Sequence, residues 1–198
     1  MDSRSPELVL GSASPRRAEL LAQLGLSFSV IAADIDETPV REETPRDYVQ
    51  RMAREKAEAL VGIGSALLLT ADTTVVLDDV IQGKPRDRAD AQRILKGLSD
   101  RSHDVYTAIC ARQGSRSETV LVRTVVEFAA LTPALINAYL STDEPWDKAG
   151  AYAIQGFAGS FVRRVDGSVS SVIGLPLVET RELLARFGIV ARLQGSTA

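Results

Sequence analysis

Residues Ala66 to Leu77 form an apolar, largely β-branched run, ALLLTADTTVVL, with a carboxylate, Asp72, set in its middle. A run of this kind reads as a central strand with polar residues built into it. A charge inside such a strand is heavily penalised unless it is paired, so the fold must bring a cation to Asp72 or place it at the edge of a ligand site. The ordinary alternative is a strand-end aspartate that caps a turn. A functional carboxylate explains the position better, because buried charge demands a named partner.

The segments around this strand fall into an alternating order. Leu8-Val9-Leu10 predicts a short buried strand, Gly11-Ser12-Ala13-Ser14 a loop, and Pro15 opens a helix that stops at Gly25, with Ser14 as its N-cap. Thr44-Pro45 repeats the start signal, with Asp47 in the capping position, for a helix through Tyr48, Met52 and Leu60. Val80-Ile81 predicts a short strand and Gly83-Lys84-Pro85 breaks it; Asp87 to Leu98 carries Ala91, Ile94, Leu95 and Leu98 at helical spacing. Val105 to Ala111 and Val120 to Phe128 predict paired strands around Gly114-Ser115. A helix from Thr132-Pro133 through Leu140, strands at Ala151–Ile154 and Phe161–Val165, and a helix over Glu179 to Phe187 complete the chain. This order argues α/β with a mixed sheet, as one domain over 1–198 with two lobes, the tail 190–198 being expected to be disordered.

Composition narrows the chemistry. The 23 basic and 26 acidic residues give a net charge of −3, without the basic excess of a protein that binds nucleic acid through phosphates. No apolar run reaches the roughly 18 residues of a membrane span, and MDSRSPELVL lacks the pattern of a signal peptide, so no membrane is expected as partner. One cysteine excludes an internal disulfide and fits a cytoplasmic location. One cysteine and one histidine cannot form a zinc site of the usual kind, and they leave little room for a histidine-based triad. The chemistry falls to carboxylates, Arg, Lys, Ser/Thr and an oxygen-bound metal.

Three groups of residues qualify. In Ser12-Ala13-Ser14-Pro15-Arg16-Arg17, a strand, a small-residue loop and a helix start gather free N–H groups, hydroxyls and guanidinium forks suited to phosphate, although a capped surface helix would look similar. It is not a P-loop. Asp72 is the second group; among 19 arginines and four lysines, Lys84 in its rigid Gly-Lys-Pro turn is the best lysine candidate to serve it. Asp34-Ile35-Asp36-Glu37-Thr38 is the third, a solvated acidic loop or a set of ligands for a hard divalent ion together with Asp72. Gln155 offers an amide able to read a base or brace the backbone. Trp146 is open to stacking on a base or sealing its loop. His103 reads as a surface histidine, and Cys110 as a small core residue.

These segments resemble the Maf family of nucleoside triphosphate pyrophosphatases, nearly end to end from Leu8 to Ile189. The matching pieces are Ser12-Ala13-Ser14-Pro15-Arg16-Arg17, Asp36-Glu37-Thr38, Arg54-Glu55-Lys56-Ala57, Ala71-Asp72-Thr73, Gly83-Lys84-Pro85, Asp147 through Gly156, and Gly174-Leu175-Pro176-Leu177. The resemblance implies a mixed, strongly twisted sheet flanked by helices, with two lobes around a cleft, of the Maf/inosine-triphosphatase-like kind. It implies cleavage of a nucleoside triphosphate between the α- and β-phosphates, a divalent metal cation (Mg²⁺ or Mn²⁺), and a homodimer. Carried over by position, Asp72 is the catalytic acid/base, Ser12, Arg17, Lys56 and Lys84 contact phosphate, and Glu37 and Asp72 hold the metal.

Members acting on dTTP and UTP carry Arg, Thr and Gln at three positions where those acting on 7-methylguanosine triphosphate carry Trp, Gln and Glu. Here these are Arg16, Thr73 and Gln155, so the resemblance implies the dTTP/UTP type and a role in clearing the nucleotide pool. A neutral amide both donates to and accepts from a pyrimidine edge. The rival expectations are a pyrophosphatase acting on 7-methyl-GTP or ITP, and a nucleotide-binding regulator of septum formation.

Overall fold

The computed structural model describes residues 7–191; the rest of the expected disordered tail, 192–198, lies outside them. The elements run β1 (Leu8–Gly11), α1 (Pro15–Ala22), β2 (Ser29–Val30), α2 (Pro45–Ala59), β3 (Leu67–Leu77), β4 (Val80–Gln82), α3 (Arg88–Leu98), β5 (Ser102–Gln113), β6 (Arg116–Phe128), α4 (Pro133–Tyr139), β7 (Val162–Asp166), α5 (Val169–Ile173) and α6 (Leu177–Arg186). The sheet is mixed, as the order of elements predicts. Its strands follow β2-β1-β3-β5-β6-β7, with β4 also on β3; β1 runs parallel to both β2 and β3, while β3–β4 and β6–β7 are antiparallel.

Helix starts obey local chemistry. Thr44 accepts from the Asp47 N–H at 3.2 Å while its hydroxyl donates to the Asp47 carboxylate at 2.6 Å; Asp87 and Thr132 cap α3 and α4 by accepting from the Asp90 and Leu135 N–H groups. Ser14 departs from expectation. Its side chain makes no capping bond to α1, and its own N–H instead donates to Ser12 Oγ at 3.2 Å.

Two compact units make up the fold. One takes in the chain up to Asp72, Thr107–Leu121 and the chain from Gly174; the other takes in Thr73–Tyr106 and Val122–Ile173. The first holds a core that includes Leu10, Leu21, Val49, Met52, Leu67, Leu68, Leu69, Ile109 and Leu183, each fully buried. Cys110 is a small core residue there, as expected.

The second unit is built on aromatics. Phe128 meets the Tyr152 and Phe161 rings edge-on, and Tyr139 meets Phe161 likewise at 5.0 Å. His103 belongs to this cluster, which corrects the expectation of a surface histidine: it is 3% exposed, its ring lies 5.0 Å from Phe128, and Nε2 shares a 2.9 Å hydrogen bond with Tyr152 Oη. Strand periodicity places it there, since His103 and Val105 stand two apart and share the buried face of β5.

One expected strand is absent. Ala151–Ile154 lies in a short 3₁₀ turn over Ala149–Ala151 and the loop after it, because Gly150 (φ 74°) and Ala151 (φ 59°) both occupy the left-handed region and break extended pairing. A Cβ on Gly150 would also lie 2.9 Å from Val75 Cγ1, so the position takes only glycine. Three short elements escaped the sequence reading: β2, α5 and a 3₁₀ turn over Phe157–Phe161, each too brief to show a period.

Candidate active site

Ser12 follows β1, whose last residue packs directly on β3. A Cβ on Gly11 would come within 2.6 Å of Thr70 Cγ2 and 2.8 Å of Leu60 Cδ1, so only glycine lets the loop leave the sheet at this point. Ser12 is buried, and its hydroxyl accepts from the Ser14 N–H and, at 3.3 Å, from Arg17 Nη1. Arg17 Nε donates to the Gly174 carbonyl at 2.9 Å, which fixes the guanidinium against the segment that leads into α6. Arg17 and Ser12 are thereby held together at the start of α1. Burial lowers the Arg17 pKa, opposed by the charge of Asp72; the neighbouring charge of Arg16 adds to the lowering.

The centre of the site is an ammonium between two carboxylates. On α2, Tyr48, Met52 and Lys56 recur every fourth residue and share its buried face. On β3, Thr70 and Asp72 stand two apart and so share one face of the strand. Thr70 Oγ1 donates to the Ala53 carbonyl at 2.6 Å, fastening α2 to that face, and Lys56 Nζ reaches Asp72 Oδ1 at 2.7 Å. The same ammonium is 2.7 Å from Glu37 Oε1. Asp72 and Lys56 are 7% and 8% exposed, whereas the Glu37 side chain is 47% exposed, so the cluster runs from the interior to the surface. Burial raises the Asp72 pKa above the ordinary carboxylate value; Lys56 and Arg17 oppose this without cancelling it.

Glu37 sits on a segment without regular structure, and α2 holds that segment in place. Tyr48 Oη donates to the Glu37 carbonyl at 3.0 Å, and Arg51 Nη2 donates to the Thr38 carbonyl at 3.2 Å. Arg51 is itself clamped by Glu43 at 2.7 Å through both Nε and Nη2, and its pKa is raised chiefly by that hydrogen-bonded pair. Asp36 turns away to accept from the Thr38 N–H at 2.9 Å, and Asp34 is exposed. Of the acidic segment, Glu37 is therefore the residue that joins Asp72. Tyr48 and Arg51 escaped the sequence reading; the signal was their spacing on the helix that also carries Lys56.

The second unit holds the remaining expected residues. Thr73 follows Asp72 in β3 and is half-buried. Lys84 is exposed in the turn after β4, and the carbonyl of the preceding Gly83 accepts the Gly150 N–H at 3.1 Å. Gln155 is exposed in a tight turn closed by the Gly156 N–H on the Ala153 carbonyl at 3.0 Å. Trp146 seals its own loop: Nε1 donates to the Thr142 carbonyl at 2.8 Å and the ring packs on the core.

Among the described residues, no three His, Cys, Asp or Glu side chains come close enough to hold a metal ion on their own. No helix in them is long and apolar enough to cross a membrane.

Known proteins match this chain along most of its length. Residues 7–187 match the family described as Maf-like protein. A dTTP/UTP pyrophosphatase of Shewanella sp. (strain MR-7) is 52% identical over 191 residues, spanning 92% of this chain and 98% of that protein. One of Anaeromyxobacter dehalogenans (strain 2CP-1) is 54% identical over 93% of this chain and 95% of that one, and one of Myxococcus xanthus (strain DK1622) is 53% identical over 96% of each. A solved Ham1 protein from Coxiella burnetii overlaps 64% of this chain and 74% of its own at 22% identity, a loose likeness with a TM-score of 0.45. With a family match over 7–187 and relatives above 50% identity along both lengths, the chain belongs to the Maf-like protein family.

Proposed function

We propose that this protein is a nucleoside triphosphate pyrophosphatase that hydrolyses dTTP and UTP to the nucleoside monophosphate and pyrophosphate. The observation that carries the reading is the buried Asp72, with its raised pKa, bonded to Lys56 beside Arg17 and Ser12. A carboxylate with a raised pKa is a better general base than an ordinary one, and it is placed among cations that suit a polyphosphate. The names of the relatives supply the substrate class.

In the reaction, Asp72 takes the proton of a water whose oxygen attacks the α-phosphorus. The bond from that phosphorus to the bridging oxygen breaks, and pyrophosphate leaves with the electron pair. Ser12, Arg17, Lys56 and Lys84 bind the phosphate oxygens and offset the charge that develops on them. Arg16, Thr73 and Gln155 select the base and sugar, Gln155 by donating to and accepting from a pyrimidine edge.

A divalent cation, Mg²⁺ or Mn²⁺, fits the donor set in one form. Magnesium is ordinarily held by one or two carboxylates together with substrate phosphates, and Glu37 and Asp72, gathered on the one Lys56 ammonium, would be those carboxylates. When bound, such an ion polarises phosphoryl oxygens and neutralises charge on the leaving group. A homodimer in a cytoplasmic setting completes the proposal; sedimentation of the purified protein tests the first part.

The test is pyrophosphate release from dTTP, UTP, ITP and 7-methyl-GTP with Mg²⁺, with Mn²⁺ and with EDTA. Metal-dependent release strongest for dTTP and UTP is expected. Preference for ITP or 7-methyl-GTP would overturn the substrate reading, and no release from any nucleotide would overturn the reaction.

A further inference from the structure

Gln155 projects from a turn closed by the Gly156 N–H on the Ala153 carbonyl at 3.0 Å, and the two residues after it, Gly156 and Phe157, are exposed. What fastens the end of the turn to the rest of the unit is a carboxylate eleven residues earlier in the chain. Glu144 Oε2 accepts the Phe157 N–H at 2.9 Å, and Oε1 accepts the Ala158 N–H at 3.2 Å and the Tyr139 hydroxyl at 2.9 Å. Two backbone donors at the mouth of the 3₁₀ turn are satisfied by one ionised group, a strong arrangement because the acceptor is charged. Gly156 lies flat against that carboxylate: a Cβ there would come within 2.6 Å of Oε1 and 2.5 Å of Cδ. Residue 156 must be glycine for Glu144 to reach across, and Gln155 is covalently joined to it.

Glu144 is anchored in turn. Its carbonyl accepts from Lys148 Nζ at 2.8 Å, and Lys148 also pairs with Asp147. Tyr139, which donates to the carboxylate, stacks on Phe157 at 6.3 Å and meets Phe161 edge-on. The turn is thus bolted to the aromatic core of its own unit through one side chain.

We infer that Glu144 is a positioning residue for substrate choice, whose carboxylate sets the turn that presents Gln155 to the base. This rests on the reading of Gln155 as the base contact. Glu144 touches no reacting atom in this scheme, so its loss should act on base discrimination and not on the chemical step. A displacement of about 1 Å in a contact group can cost up to two orders of magnitude, and a single misdirected amide bond about one.

The experiment measures kcat and KM for dTTP, UTP and ITP in Glu144→Gln, Gln155→Ala and the double variant, with circular dichroism to verify the fold. Glu144→Gln preserves shape but puts an NH₂ group against a backbone N–H. The expected result is kcat for dTTP within about threefold of the parent, KM raised about tenfold, and the dTTP-to-ITP preference reduced about tenfold. The double variant should discriminate no worse than Gln155→Ala alone. Gly156→Ala, which displaces the carboxylate by its added methyl, gives the same test if Glu144→Gln fails to fold. Equal losses on dTTP and ITP, or an unchanged preference where Gln155→Ala abolishes it, would overturn the inference. An unchanged preference in Gln155→Ala itself would instead remove the base-contact reading on which it stands.

Discussion

Replacing Lys56 by Met keeps the length of the stem and removes the ammonium that bonds both Asp72 and Glu37 at 2.7 Å. The Glu37 half of that loss is small, because its side chain is 47% exposed and water takes the place of the lysine. The Asp72 half is large, because the carboxylate is 7% exposed and already strained toward protonation by burial. Its ceiling follows from the escape route open to it. An uncompensated carboxylate can cost no more than protonating it, which is about 1.4 kcal/mol for each pH unit above its ordinary value near 3.8. That gives about 5 kcal/mol at pH 7.5 and about 1.6 kcal/mol at pH 5.0, the former in line with the loss typical of a broken buried pair. In a chain of this size 1 kcal/mol moves the melting temperature by about 2–4 °C, so the penalty should stay below about 10–20 °C at pH 7.5, because the parent already bears part of it through its raised pKa, and should shrink at least about threefold at pH 5.0. The sign is fixed: the variant's Asp72 has a folded pKa raised further above its unfolded value, so stability is lost as pH rises. The assay is thermal and urea unfolding of parent and variant at both pH values, in EDTA so that no cation replaces the lysine. Adding Asp72→Asn to the variant should restore most of the stability at pH 7.5. A pH-independent penalty, or a double variant no more stable than Lys56→Met, would refute the reasoning.

Asp72→Asn alone should lower turnover by about 10² to 10⁴ while leaving the melting temperature at pH 7.5 equal or higher, because a carboxylate whose pKa burial raises destabilises the fold once ionised; near-parental turnover in the pyrophosphate assay would remove it from the mechanism. Arg51→Ala releases the Thr38 carbonyl and the Glu43 clamp, so kcat should fall about tenfold with the dTTP-to-ITP preference unchanged; a changed preference in the same kinetics would contradict a role confined to Glu37. His103, which packs on Phe128 and Tyr152 and feels the opposing charge of Asp104, has its pKa lowered by burial to about 4 from 6.5. A depressed histidine pKa leaves stability intact above pH 6.5 and removes it as pH falls toward 4. Between pH 7.5 and 4.5 urea unfolding should show the parent losing about 2.5 kcal/mol more than His103→Asn, and parallel losses would exclude His103 as the acid-sensitive group.

Asp72 was legible because the penalty on a buried charge is a property of the strand it sits in, whatever the fold around it. The helix carrying Lys56 was legible too, from Thr44-Pro45 and the apolar spacing of Tyr48 and Met52. The pairing of Lys56 with Asp72 was not, since it depends on which face of β3 the helix covers, a long-range outcome settled by contacts such as Thr70 on the Ala53 carbonyl. Lys84, in its rigid turn, is exposed after β4, and the lysine bonded to Asp72 is Lys56. Glu37 could not be told from Asp34 and Asp36 by composition; its neighbours are chosen by two backbone carbonyls that Tyr48 and Arg51 grip. Glu144 left no trace in periodicity, because a side chain that satisfies a distant turn has no local pattern. Ser14 shows the opposite failure: the local signal was sound, yet its N–H is drawn to Ser12 while no side-chain cap forms.

The charges of the first unit carry one further step. Arg16, Arg17 and Lys56 set three cations against Asp72 and Glu37, a surplus of one positive charge at a centre that is partly desolvated. At rest this near balance is what allows a carboxylate to be buried at all, since Lys56 and Arg17 hold Asp72 against the full penalty of burial. A triphosphate brings several negative charges, more than a single surplus cation offsets even with Lys84 added as proposed. If polyphosphate binds here, further positive charge is needed with it, and a divalent ion, which Glu37 and Asp72 would help to hold, would supply it without adding a permanent charge that disturbs the resting balance. Such a site stays close to neutral when empty and becomes complete only with substrate. It follows that EDTA should abolish turnover on the nucleotides while leaving the melting temperature of the free protein unchanged, and a chelator-sensitive melting temperature would show instead a cation built into the resting fold.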